Sequence, residues 1–151
     1  MMTIDRTLFR TGVPLIDVQH EAYLDLVEQL FALCQRGDVP RATLESELGK
    51  VLSYAVEHFD TEEHLMLSLE YPYYAEHLAK HNVFRSHADE FVGELRSGLS
   101  TDALTIRLTT WLVEWIVEQI RVDDLKLATY LKTSTQHGLL GPAFRRTAAH
   151  Q

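Results

Sequence analysis

Residues 48–66 read LGKVLSYAVEHFDTEEHLM, and within them Leu48, Val51, Ala55, His58, Glu62 and Met66 follow one another at steps of three or four. That spacing is the period of an α-helix, so the six side chains share one face. The face is apolar at both ends and carries an imidazole and a carboxylate in its middle. A helix that buries such a stripe buries His58 and Glu62 with it. The pattern recurs on both sides of this stretch. Downstream, His77, His81, Phe84, Ala88, Phe91 and Leu95 form one face; upstream, His20 stands three residues before Tyr23 and seven before Val27.

Four such helices are legible between the Gly and Pro positions that punctuate the chain. The first is expected from an N-cap near Asp17 to just before Gly37, with Tyr23, Val27, Leu30, Phe31 and Cys34 inward. The second follows Pro40, carries Leu44, Leu48, Val51, Ala55, Phe59, Met66 and Leu69, and ends at Pro72. The third runs from about Tyr74 to Gly98 with Val83, Phe84, Ala88, Phe91 and Leu95 inward. The fourth starts at Thr101 or Asp102, buries Leu104, Leu108, Leu112, Trp115 and Val122, and fades around Leu131. No strand-like alternation of useful length appears. Short connections between one-faced helices predict an all-α, up-down-up-down antiparallel four-helix bundle over 1–132. The weakly patterned tail, 133–151, is expected either to pack on the bundle or to be disordered.

The chain has 151 residues, enough for one domain that folds without a staple. Its single cysteine, Cys34, permits no intramolecular disulfide and suits a reducing compartment. The N-terminus MMTIDRTLFR shows no signal-peptide run, and no stretch approaches a membrane span. A cytoplasmic protein without membrane association is the expectation. A formal net charge of -8 argues against nucleic-acid binding.

Four inward histidines and a glutamate on three helices would cost several kcal/mol to bury if each stood alone. A shared metal ion removes that cost. Residues at i and i+4 can reach one ion, or two ions a few ångströms apart, and imidazole with carboxylate suits iron, zinc or manganese better than calcium. His64, His87, His137 and His150 lie off these stripes and read as surface; Cys34 reads as core.

These residues resemble the bacteriohemerythrin pattern. Ile16-Asp17-Val18-Gln19-His20, His58-Phe59-Asp60-Thr61-Glu62-Glu63-His64-Leu65-Met66 and His77-Leu78-Ala79-Lys80-His81-Asn82-Val83-Phe84 match its first three helices in order and spacing. The match covers about residues 12 to 131. The resemblance implies a non-haem diiron cofactor and reversible dioxygen binding, for transport, storage or sensing, in a protein that is not an enzyme. It implies that His20 and His58 bind one iron, the one with an open position, and that His77 and His81 bind the other. Glu62 and an aspartate of the fourth helix would bridge the two.

The fourth helix departs from the family. It reads Trp115-Ile116-Val117-Glu118-Gln119-Ile120-Arg121-Val122-Asp123-Asp124, with Gln119 where the family has a histidine ligand. The tryptophan that many members carry before the first Gly-Val is also missing. An amide oxygen is a weaker and harder donor than imidazole. Gln119 can coordinate directly, hold a water ligand or leave the position vacant. A degenerate site that binds little metal is the remaining possibility. Regular helical geometry aligns Asp123 with Gln119 and turns Asp124 away by roughly 140°. The resemblance points to Asp124, which a single π-type turn would bring into line; Asp123 is the reserve.

Two other functions stay open. A diiron oxidase or peroxidase-like enzyme of ferritin type would use Glu-x-x-His pairs, and no histidine here has a glutamate three residues before it. A helical signalling module with a degenerate metal site would act in trans.

Overall fold

The proline at position 14 sets where the first long helix begins. Proline is pre-shaped for a first helical turn, and Val13, in extended conformation, is the cap that precedes it. The computed structural model of the chain describes residues 3–98 and 100–136. A short 3-10 turn at Arg6–Phe9 leads into α1 (Pro14–Gln35). Asp17 is therefore not the N-cap that its sequence suggests. It sits inside the first turn and folds back, accepting from the Thr11 amide at 2.8 Å, the Thr11 hydroxyl at 2.7 Å and the Gly12 amide at 3.1 Å. Gly12 has a φ of 83°, a conformation costly for any side chain, and so lets the loop turn back onto this carboxylate.

α2 (Arg41–Ser68) and α3 (Tyr74–Arg96) follow. The end of α2 comes before Pro72 and has its own cause. The Tyr71 amide bonds back to the Met66 carbonyl at 2.9 Å and the Glu70 amide to Leu67 at 3.3 Å, with Glu70 at a φ of 51°. This is the Schellman arrangement, and its usual apolar contact is present in the buried pair Met66 and Tyr71. α4 (Thr101–Glu118) passes without a break through a π-helical segment, Gln119–Asp124, into α5 (Leu125–Gln136). The fourth rod of the bundle is this composite. It continues beyond the expected fading point at Leu131, and Ser134 is buried. The rest of the tail lies outside the described residues.

Successive rods run antiparallel. The Arg41 guanidinium at the start of α2 bonds the Leu95 carbonyl at the end of α3, and alternate rods run parallel, the Tyr130 hydroxyl of α5 bonding the Leu69 carbonyl where α2 also ends. The α4 rod closes the bundle against α1. Among the described residues there is no strand and no helix long and apolar enough to cross a membrane.

The stripes form two apolar clusters. The larger holds Tyr23, Val27, Leu30, Phe59, Phe84, Leu108 and Leu112; the smaller holds Val13, Ile16, Met66, Tyr71, Leu127, Ala128 and Leu131. Each fully buried leucine contributes roughly 2 kcal/mol. Two expected core residues are outside, Val83 at 55% exposure and Val122 at 58%, while Cys34 only leans on the core. Along each rod the residues between the two clusters are polar, and they lie opposite one another.

Candidate metal centre

His20 comes from α1, His58 and Glu62 from α2, His77 and His81 from α3, and Gln119 and Asp124 from the π segment. All seven are buried. The last two meet because of the π turn. Hydrogen bonding at i→i+5 widens the turn and brings residues five apart nearly into line. Gln119 and Asp124 are 2% and 0% exposed. Asp123 instead faces α3, where Lys80 donates to both of its oxygens at 2.7 Å.

Each carboxylate divides its oxygens between two groups of imidazoles. Asp124 Oδ2 lies 2.9 Å from His20 Nε2 and 3.4 Å from His58 Nε2. Asp124 Oδ1 lies 3.2 Å from His77 Nε2 and from the Gln119 amide nitrogen. Glu62 Oε1 is 3.4 Å from His58 Nε2, while Oε2 is 3.0 Å from His77 Nε2 and 3.2 Å from His81 Nε2. Two sets result, one of His20, His58, Glu62 and Asp124, the other of Glu62, His77, His81 and Asp124, each with its ligand atoms within 4.8 Å of one another.

These distances suit metal ions. An ion about 2.1 Å from its donors sets neighbouring donors roughly 3.0 Å apart. Glu62 Oε1 and His81 Nε2 are buried and make no hydrogen bond of sound geometry among the described residues. The Nε2 atoms of His20 and His58 face each other at 3.2 Å, which demands a shared proton or a shared cation. The electrostatics agree. Burial works to lower the His58 imidazole, but Glu62 and Asp124 outweigh it and raise its pKa to about 10. Burial likewise opposes the charged form of His77, and hydrogen bonds to Asp124 and Glu62 raise it to about 9. Burial pushes Glu62 and Asp124 up, yet the surrounding imidazoles hold both carboxyls well below the usual range. The cavity thus keeps two negative charges and attracts positive charge, as protons or as metal.

Outer partners aim two of the imidazoles. His58 Nδ1 lies 2.8 Å from Gln19 Oε1, an acceptor, so Nδ1 donates to it and Nε2 faces inward, where it carries a second proton or, once that proton leaves, can bind a metal ion. His81 Nδ1 lies 2.9 Å from Glu63 Oε1, itself held by Arg85 at 2.9 Å. The sequence reading gave Gln19 and Glu63 no role, although both stand beside a candidate ligand. His20 Nδ1 makes no hydrogen bond among the described residues; the residue lines a cavity of about 10 Å³, room for one water molecule. His64 and His87 are exposed, as expected. His137 and His150 lie outside the described residues.

Gln119 lies beside the second set. Its amide nitrogen is 3.1 Å from His77 Nε2, and a half-turn of the amide places Oε1, the atom able to bind metal, at the same spot. A surface cleft of about 210 Å³ is lined by Lys80, Val83, Trp115, Glu118 and Gln119.

The family model described as the hemerythrin HHE cation binding domain matches residues 11–131. The chain belongs to the hemerythrin family. A bacteriohemerythrin of Stenotrophomonas maltophilia is 30% identical over 122 residues, 80% of this chain and 76% of that protein. A bacteriohemerythrin of Methylococcus capsulatus is 32% identical over 82 residues, 54% of this chain and 61% of that protein. The crystal structure of a wild-type hemerythrin superposes with a TM-score of 0.73 at 24% identity, covering 85% of this chain and 96% of that one. The fold is that of the hemerythrin bundle. The family cofactor is a diiron centre, and this chain carries two clusters that could hold two metal ions.

Proposed function

We propose that the protein binds dioxygen reversibly at a diiron centre, as a carrier, store or sensor, and that its second iron site is altered at Gln119. One observation supports this above the others: Glu62 and Asp124 each present one oxygen to the His20 and His58 side and the other to the His77, His81 and Gln119 side. Carboxylates so placed could each hold two ions at once. In this reading His20 and His58 hold the first ion, and His77 and His81 hold the second with Gln119 in the remaining family position. Two ferrous ions supply, when bound, the electrons that dioxygen takes up on binding and returns on release. The chain's own part is to orient and to exclude water. Gln19 and Glu63 fix the Nδ1 protons of His58 and His81. Phe59 stacks on His81 at 4.0 Å between ring centroids and, with Phe84, Trp115 and Ile116, roofs the polar layer with apolar surface.

Anaerobic loading with ferrous iron, followed by visible spectra through cycles of dioxygen addition and removal, tests the reading. A band that appears with dioxygen and disappears without it, over repeated cycles, supports it. Irreversible oxidation in the first cycle overturns it. The surface cleft lined in part by Gln119 favours a second reading, an oxidase or peroxidase-like enzyme, because it offers exogenous molecules a place beside the altered position. Sustained turnover of hydrogen peroxide with an electron donor would establish that reading instead.

A further inference from the structure

Tyr23 stands one helical turn beyond His20 on the buried face of α1, and its hydroxyl is buried without a hydrogen-bond partner among the described residues. Buried tyrosine hydroxyls ordinarily have a partner. Where only bulk is needed, phenylalanine serves, as Phe59 and Phe84 do in the same apolar cluster. Burial pushes the pKa of the Tyr23 hydroxyl far up, so it stays protonated and remains a donor.

Its direction follows from helix geometry. Long side chains on a helix lean toward the N-terminus, over the residue three or four positions earlier. For Tyr23 that residue is His20. Across the bundle its ring meets Trp115 edge-on at 6.2 Å, and Trp115 lies one turn before Gln119. Tyr23 therefore belongs to the apolar layer next to the His20 side of the centre. That side is also the one with fewer donors. It has two imidazoles and one oxygen from each carboxylate, four in all, against five in the set that includes Gln119. A six-coordinate ion there keeps more open positions.

We propose that Tyr23 contacts the exogenous ligand: its hydroxyl donates a hydrogen bond to a small molecule bound at the open side of the His20 and His58 cluster. The inference rests on the diiron reading above and adds a polar contact to an otherwise apolar roof. A donor at this place favours ligands whose outer atom carries negative charge over neutral ones.

The test uses the full chain and its Tyr23→Phe variant, both loaded with iron, oxidised and titrated with azide as the probe. The variant is expected to hold the same iron, to melt at the same or a higher temperature when metal-free, and to bind azide roughly three- to tenfold more weakly. The stretching frequency of bound azide is expected to shift between H₂O and D₂O in the wild type and not in the variant. Equal azide affinity and equal isotope shifts, at equal iron content, overturn the role of Tyr23 and leave the diiron reading intact. If neither protein takes up iron, the diiron reading fails and this inference fails with it. Should the variant not fold, the wild type decides alone. Azide must then perturb its near-ultraviolet tyrosine absorption, and an unchanged spectrum overturns the proposal.

Discussion

Gln119 and Asp124 are five residues apart in the chain, and their side chains lie 3.2 Å apart in the buried centre. Only a π turn allows this, since five residues of regular α-helix would separate them by roughly 140°. Such a turn forgoes i→i+4 bonds, so something must compensate for it, and the polar centre it completes is the candidate. Asp123 and Asp124 are consequently chemical twins in opposite environments.

Replacing each twin separately checks that relationship. Asp124→Asn is expected to reduce bound iron to less than about one ion per chain, because it removes a charged bridge from both sets. Asp123→Asn loses only its partly exposed ion pair with Lys80, worth about 1 kcal/mol or less, and should keep full iron content. Elemental analysis of both variants after anaerobic loading decides; equal losses would contradict the assignment.

Metal removal should destabilise the fold. The candidate ligands come from all four rods, so metal binding free energy would add to folding free energy. At free metal about a hundredfold above Kd the gain is roughly 2.7 kcal/mol, which for a chain of this size raises Tm by about 5–10 °C. Thermal melts of the iron-loaded protein with and without chelator measure it. Coincident melts would show that metal and fold are uncoupled.

Gln119→His restores an imidazole to the second set. It is expected to tighten the weaker of two metal-binding steps while leaving the stronger one in place. Imidazole is the better donor to iron, so the lifetime of the dioxygen adduct should lengthen as well. Stepwise metal titration and stopped-flow spectra read the two effects. No change in either would mean that position 119 touches no metal.

Glu63→Gln keeps the size of the side chain and removes the charge that accepts from His81 Nδ1. Second-site metal affinity should fall about tenfold or more, since outer partners of ligating histidines carry that much. The first site, aimed by Gln19, should be nearly unaffected. A competition assay with a chromophoric chelator separates the two sites; equal weakening of both would count against the pairing.

The sequence alone determined the bundle and most of its polar layer, because both follow from one period. His20, His58, Glu62, His77 and His81 fall on stripes that regular helices must bury, whatever they pack against. What it could not determine depended on departures from that period or on contacts between rods. Val122 looked internal because the α period was carried straight through the π segment. The extra residue there shifts the register, so Asp124, Leu127, Ala128 and Leu131 face inward and Val122 faces out. Val83 adjoins Phe84, about 100° around the helix, and the partner surface reaches only one of them. The choice between Asp123 and Asp124, the aiming of His58 by Gln19 and of His81 by Glu63, and the unpartnered hydroxyl of Tyr23 were decided by tertiary structure. The first turns on the π segment of the fourth rod, and the others on which atoms of a different helix arrive within about 3 Å; regular local spacing carries no information about either.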